Sequence, residues 1–592
     1  PDHLLVTDPA DLGTVVTAVE ESALTGLDTE TSGLDPQTDQ IRLLTVSVET
    51  TAGGRFAYLV DCSRIDPTPL FPALAATTLV IHNAAFDLGF LARRGFEPGK
   101  VIDTMLAAQV LAAGTGEKVN LKAVVEKYLG QTIEKDEQAS DWSRDLTPAQ
   151  LRYAADDAHV LVPLWRALED RLTEARLWGT AAAEFRALPA VVWMSRSGVA
   201  FDAAGWRAAA AVASERLAAA VAAADRAAPD RPEQVFPDNW DWARAAHVKE
   251  ALALVGHEVP DTRDETLAGI DHPLAAALRT YRAAQKQVTS YGADWLRYVR
   301  PDGRIYPSWH QLRAASGRMA CSDPNVQQVP RGDCRECFVA RPGRALVKCD
   351  YSQVELRIAA RISGDASLLA AYRAGEDIHT RTAQQVLGVT AVTKADRQLA
   401  KAVNFGLVFG MGSRGFRDYA KANYGLDLSE SQAADYRTAF FRAYPGLRAW
   451  HETVRADVKR RFQADPAGRF ETRTRAGRRR LLKVAKQKAD GTAYPNVTEA
   501  LNTPVQGTGA DGLKAALALL WDRRTACPSA VPVLAVHDEI VIECDDGDAE
   551  AARRWLEAAM TDAMSPLIDP VPIAVDSTVG ATWGADPQRG PA

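Results

Sequence analysis

Asp28 and Glu30 stand two positions apart in a strand-like stretch, so both carboxylates project from one face. Hard oxygen ligands set out in this way suit Mg²⁺. Asp87 follows at the start of a helical pattern, and Tyr153 and Asp157 lie four apart on one helical face. Each acid alone reads as a surface acid or a helix cap. Four carboxylates with a phenol could instead hold two metal ions and orient a water for in-line attack on phosphorus. Further along, Asp350 ends a strand-like run before a turn and a helix that carries Glu355. Asp538, between His537 and Glu539, occupies the polar turn between two apolar strand halves, where a hairpin keeps carboxylates out of the core. Asp350 and Asp538 can meet only through tertiary structure. Between them Arg397, Lys401 and Phe405 recur every four residues, each step drifting by only about 40° around a helix. Two cations and an aromatic on one stripe suit a triphosphate followed by a sugar and base.

These groups need several cores to position them. The chain has 592 residues, 47% hydrophobic and 24% charged, which at roughly 150 residues per domain makes about four domain-sized units. Residues 1–60 read as strand and turn, 78–81 as a strand leading into a helix, and 100–185 as helical. Residues 186–300 read as Ala-rich and helical with an interruption at 229–242, and 208–228 as part of a long antiparallel helix pair. A mixed region follows to 365, then helices to 465, then alternating strand and helix over 496–592. The fold class is α/β plus α.

Lys and Arg number 69 against 76 Asp and Glu, a net charge of −7, which does not exclude nucleic acid because it says nothing of where the charges sit. Residues 441–490 hold 15 basic and five acidic residues, a net of +10, and predict a track for phosphate backbones; Arg279, Arg282 and Lys286 form a weaker second candidate. Seven Cys without regular spacing imply a reducing compartment, and Cys334 and Cys337 lack the second pair a structural zinc needs. No apolar run approaches the roughly 20 residues that span a bilayer, and no leader pattern opens the chain. The expectation is a soluble, cytoplasmic protein, in a bacterial or a phage-infected cell, whose initial Pro1 marks a processed or trimmed end.

In order, strand Asp28-x-Glu30, Asn83-x3-Asp87 and Tyr153-x3-Asp157 resemble the proofreading 3′–5′ exonuclease family, of the ribonuclease H-like fold, over about residues 1–185. The resemblance implies that Asp28, Glu30, Asp87 and Asp157 are metal ligands, that Tyr153 positions the attacking water, and that Leu34 and Asn83 flank the terminal nucleotide. The segments around Asp350, Arg397–Phe409 and Asp538 resemble motifs A, B and C of the family A DNA polymerases, supported by residues 308–311, 316–318, 323–325, 377–379 and 503–511. Together the two cover essentially the whole chain, as in a Klenow-type large fragment without a 5′ nuclease. The implied right hand has a thumb at 186–300, palm at 301–365 and 486–592, and fingers at 366–485.

By the same resemblance, Asp350, Asp538 and the Tyr351 carbonyl bind two Mg²⁺ ions, with two more in the exonuclease site and Mn²⁺ able to substitute. Arg397, Lys401 and His379 neutralise the phosphates, Lys401 being the candidate general acid. Glu355 excludes the 2′-hydroxyl, Phe405 stacks near sugar and base, and Gln353 and Phe409 line the nucleotide site. Arg318 and Gln506 read minor-groove acceptors. Asn325, Asn502, His537 and Arg478 complete the DNA contacts, with Glu539 supporting the metal site. Phe409, Thr498 and Ala535 depart from the family's usual Tyr, Arg and Gln, which points to a divergent, phage-like branch. The expected partners are primer-template DNA and dNTPs, with a helicase or processivity factor as further candidates, for a monomer acting in replication or repair. Two rivals compete: an exonuclease whose second half only binds DNA, and a non-catalytic replication scaffold.

Overall fold

Residues 2–49, 54–133, 137, 140–230, 240–488 and 491–585 are described by the structure, a computed structural model. Pro1, Asp490 and most of the interruption at 229–242 lie outside them. The first unit is a six-stranded mixed sheet in the order Asp2–Val6, Arg55–Asp61, Ile41–Glu49, Leu24–Thr31, Thr78–Ile81, Lys100–Asp103. Its central strands are buried on both faces, which explains their nearly continuous apolar runs. Two elements differ from expectation. Residues Leu12–Glu20 form a helix because Leu12, Val15 and Val19 recur at helical spacing and are buried, which outweighs the β-preference of the valines. Lys100–Asp103 is an edge strand, at four residues too short to display a period.

The helix Trp178–Ser197 runs straight through the expected boundary at 185. Leu188 and Val192 pack into the core of the first unit, whereas Ala190, Val191 and Met194 pack into that of the second, so one rod serves both. The long antiparallel pair is present as Ala203–Ala227 against Pro273–Tyr291, each started by a side-chain cap, Asp202 and His272.

The second unit is centred on a four-stranded antiparallel sheet in the order Val531–Val536, Glu539–Asp545, Arg344–Tyr351, Val575–Gly580. Helices Trp178–Ser197 and Ala549–Ile568 lie against it, and Val497–Asp522 packs on both. Between its strands the chain makes a helical layer in which Lys394–Val408 begins with a Thr393/Asp396 capping box. A hairpin, Arg469–Arg473 with Arg479–Lys483, then returns to the first unit. There Leu481 N–H donates to the Ala113 carbonyl, and Arg469, Arg473 and Arg479 donate to carbonyls of Gly114, of Ala175 and Arg176, and of Leu111. Those carbonyls end the helices Thr104–Ala112 and Leu161–Glu174, the negative ends of their dipoles.

This qualifies the phosphate-track expectation for residues 441–490. Besides those three arginines, Arg448 pairs with Glu452, Arg460 and Arg461 with Asp457, and Arg480 and Lys486 with Glu499. Arg279 likewise pairs with Asp264. Much of the excess charge secures the protein to itself.

Candidate active sites

In the first unit, a cleft of about 920 Å³ is lined by Asp28, Glu30, Leu34, Asn83, Asp87, Tyr153 and Asp157 together. Carboxylate oxygens of Asp28, Glu30 and Asp157 lie within 4.8 Å of one another, a spacing that could hold a cation. Asp87 stands outside that trio: its Oδ1 accepts from Thr29 N–H at 3.0 Å and Thr29 Oγ1 at 2.7 Å. Thr29 thus ties Asp87 to the strand that carries Asp28 and Glu30. Burial pushes the Asp87 carboxyl up. The Tyr153 phenol is raised first by burial and then by Asp157. Leu34, 84% exposed, offers an apolar surface at the lip of an otherwise polar cleft.

Sequence reasoning overlooked Asp103. Its carboxylate accepts from the backbone N–H of Asn83, Ala84, Met105 and Leu106, capping one helix while fixing the entry to another. The Asp-Thr pair before an apolar run was the available signal.

In the second unit, register places Asp350 directly across from Glu539 on one side and Asp576 on the other. The two-residue turn of His537 and Asp538 brings Asp538 beside Asp350, and Tyr351 N–H donates to the Asp538 carbonyl at 3.3 Å. Burial, then Asp538 and Glu539, push the Asp350 carboxyl up; burial also raises Asp538. Asp350 Oδ1 is buried with no hydrogen-bond partner among the described residues. A buried, mutually repelling pair with an orphaned oxygen fits a divalent cation, whose charge would relieve both penalties. Glu539 is 8% exposed and accepts from Trp583 Nε1, with Arg335 at 3.9 Å. Arg331, unmarked by any sequence signal, lies close enough to lower Asp350 and Glu539.

Glu355 and Arg318 form an ion pair at 2.7 Å beside this centre, and Arg318 and His537 border one small cavity. Burial pushes Glu355 up and His537 down. Tyr351 turns its phenol inward to the Met560 carbonyl, so only its main chain faces the acids. Backbone strain concentrates in these segments. Of the five non-glycine residues with positive φ among the described residues, Asn83, Asp323, Gln353 and His537 sit in motif segments, a conformation that costs about 1–3 kcal/mol.

On the helix Lys394–Val408, Arg397 and Lys401 are exposed and Phe405 is half-buried, its ring 5.8 Å from that of His379. Arg397 pairs with Asp377 at 2.6 Å. Three expectations need correction. His379 was to neutralise phosphate, but burial lowers it to about 4 and leaves it uncharged at neutral pH. Phe409 lies in the hydrophobic core at the end of its helix, 9% exposed. Arg478, expected on DNA, is 5% exposed and bound to Glu184 and Asp511.

Glu184 in turn takes Lys514 Nζ at 2.6 Å, and Asp511 takes the Thr474 hydroxyl. Burial opposes ionisation of Glu184, but Lys514 and Arg478 outweigh it and hold its carboxyl low. Two anions and two cations therefore balance inside the protein. The Arg478 side chain packs on Gly317, where a Cβ would approach to 2.6 Å, so the cluster supports the loop that presents Arg318. Asn325 Oδ1 caps a short turn, accepting from Gln327 N–H, and Gln327 reaches the Ala535 carbonyl. Gln506 and Asn502 are half-buried on the helix Val497–Asp522.

The model of DNA polymerase family A matches residues 247–585, and that of the 3′–5′ exonuclease matches residues 4–173. The DNA polymerase I of Aquifex aeolicus (strain VF5) is 32% identical over 99% of this chain and 100% of its own length. That of Pseudomonas aeruginosa is 31% identical over 98% of this chain, which spans 66% of it, and that of Thermus aquaticus is 30% identical over 84%, which spans 57% of it. Among solved structures, the POL domain of Pol1 from M. smegmatis, in complex with DNA primer-template and dNTP, shares the fold with a TM-score of 0.79 at 24% identity. It covers 98% of this chain and 99% of that one.

Proposed function

Because the chain belongs to DNA polymerase family A and carries a 3′–5′ exonuclease module ahead of the polymerase module, we propose that it copies a DNA template and removes mismatched primer ends in separate sites. The observation that carries this reading is the buried Asp350/Asp538 pair, with its orphaned oxygen, in the same unit as a helix bearing Arg397, Lys401 and Phe405. The right hand would run as a thumb at 186–300, a palm at 301–365 and 486–592, and fingers at 366–485.

Asp350, Asp538 and the Tyr351 carbonyl would hold Mg²⁺ in the polymerase site, and Asp28, Glu30 and Asp157, with Asp87 behind them, in the exonuclease site. When bound, such ions stabilise the charge that develops on phosphoryl oxygens and on the attacking and leaving groups. Arg397 and Lys401 bind the triphosphate; the primer 3′-hydroxyl loses its proton to solvent as its oxygen bonds to the α-phosphorus, the bond from that phosphorus to the α,β-bridging oxygen breaks, and Lys401 delivers a proton to the departing pyrophosphate. Neutral His379 donates a hydrogen bond rather than a charge. Glu355 occupies the space of a ribonucleotide's 2′-hydroxyl, with Arg318 leaving it to reach the minor groove beside Gln506. Tyr153 orients the water that cleaves the terminal phosphodiester.

Primer extension with labelled dNTPs tests the reading. Asp350→Ala and Asp538→Ala should each nearly abolish incorporation. Incorporation at the wild-type rate by either would instead support the rival in which the second half only binds DNA.

A further inference from the structure

His379 ends a hydrogen-bonded chain that runs through the core of the helical layer. Its members come from three segments: His379 and Thr382 from the helix Ile378–Thr382, Asn404 from Lys394–Val408, and Tyr444 from the start of Pro445–Ala464. They are 3%, 0%, 2% and 0% exposed. The Thr382 hydroxyl lies 3.0 Å from Asn404 Oδ1 and 2.8 Å from the Tyr444 hydroxyl, and Asn404 Nδ2 lies 2.8 Å from His379 Nδ1.

Proton counting fixes the direction. Among the described residues, Thr382 is the sole hydrogen-bond partner of the Tyr444 hydroxyl. If the chain ran outward from His379, the buried Tyr444 proton would have no acceptor, which leaves the desolvation of that donor uncompensated. Tyr444 therefore donates to Thr382, Thr382 donates its one proton to Asn404 Oδ1, and Asn404 Nδ2 donates to Nδ1. Nδ1 is then the bare nitrogen, and the neutral ring carries its proton on Nε2, which makes no hydrogen bond within the described residues. Asp377, Arg397 and Lys401 are the charged groups that bear on the ring.

We propose that Tyr444, Thr382 and Asn404 are positioning residues that fix His379 as an Nε2–H donor to the phosphates of the incoming nucleotide. This rests on the nucleotide site proposed above. It also explains how a buried, uncharged histidine serves beside Arg397 and Lys401: they supply charge, and it supplies one directed hydrogen bond.

Two measurements test it. Long-range ¹H–¹⁵N correlation on protein labelled with ¹⁵N-histidine reads the tautomer directly, the His379 signals among the 10 histidines being those lost in His379→Ala. A proton on Nε2 and a bare Nδ1 are expected; a proton on Nδ1 overturns the proposal. In steady-state primer extension, Thr382→Val should raise the KM for dNTP about 5- to 10-fold with little change in kcat, the size of one hydrogen bond. Thr382→Ser should restore it. In the His379→Ala background, Thr382→Val should add nothing further. An equal KM effect there would mean that Thr382 acts only structurally, and a His379→Ala enzyme with unchanged KM would remove His379 from the phosphates. Should the wild-type protein not extend primers at all, the polymerase reading fails, while the tautomer still decides the chain of hydrogen bonds.

Discussion

Replacing Asp350 with Asn should stabilise the metal-free protein while destroying synthesis. Asp350 is pushed up from the ordinary 3.8 by burial and by Asp538, Glu539 and Asp576, against the opposing pull of Arg331. A carboxyl raised in the folded state costs nothing at low pH, where it is protonated folded or unfolded. As pH rises above 3.8 the unfolded chain ionises first, so stability is lost until the folded carboxyl ionises as well. About three units separate 3.8 from neutrality, and at about 1.4 kcal/mol each the ceiling is about 4 kcal/mol. Solvent reaches part of this carboxyl, so half of that, about 2 kcal/mol, is the working figure. In a chain of 592 residues that raises Tm by roughly 2 °C. Differential scanning calorimetry in EDTA should show the gap between Asp350→Asn and wild type widening from about pH 5.5 to about pH 7.5. Millimolar Mg²⁺ should narrow it, because the wild-type site then gains a ligand. A variant that melts at or below wild type throughout that range without metal refutes the idea that this site is loaded with repulsion.

Other consequences are open to direct assay. Asp28→Ala with Glu30→Ala should abolish degradation of a mismatched 3′ end and spare synthesis; persistent degradation would remove the cleft from catalysis. Glu355→Ala should raise the ratio of rNTP to dNTP incorporation, and an unchanged ratio would refute the steric role. Arg473→Ala with Arg479→Ala removes donors to three carbonyls at helix ends, worth about 1 kcal/mol each. Hydrogen exchange at Leu481 N–H, which pairs with Ala113, should quicken by roughly 10-fold or more; unchanged protection would mean that the hairpin is held by other contacts.

What could be seen in the sequence was local. Asp28 with Glu30, and the turn at His537 and Asp538, depend on a two-residue period and a hairpin, and both were legible as placed. The misreadings share a cause: a partner far along the chain. Arg478 looked like a DNA contact within a basic run, but Glu184 is 294 residues away and Asp511 33. The carbonyls that take Arg473 and Arg479 are nearly 300 or more residues distant, and a main-chain acceptor leaves no mark on composition. His379 sits where a charge was expected, yet charge depends on burial, and its neighbours Asn404 and Tyr444 look unremarkable in sequence. The boundary expected at 185 lies within a helix common to two cores, which has no break to read.

Template direction is the central claim, and four oligonucleotide duplexes test it. They are identical except for the first unpaired template base, and each is offered the four dNTPs one at a time with Mg²⁺. Each template base should direct incorporation of its complement alone, and Asp538→Ala should remove all four products. Incorporation of the same nucleotide whatever the template base, or none with any template, would contradict it.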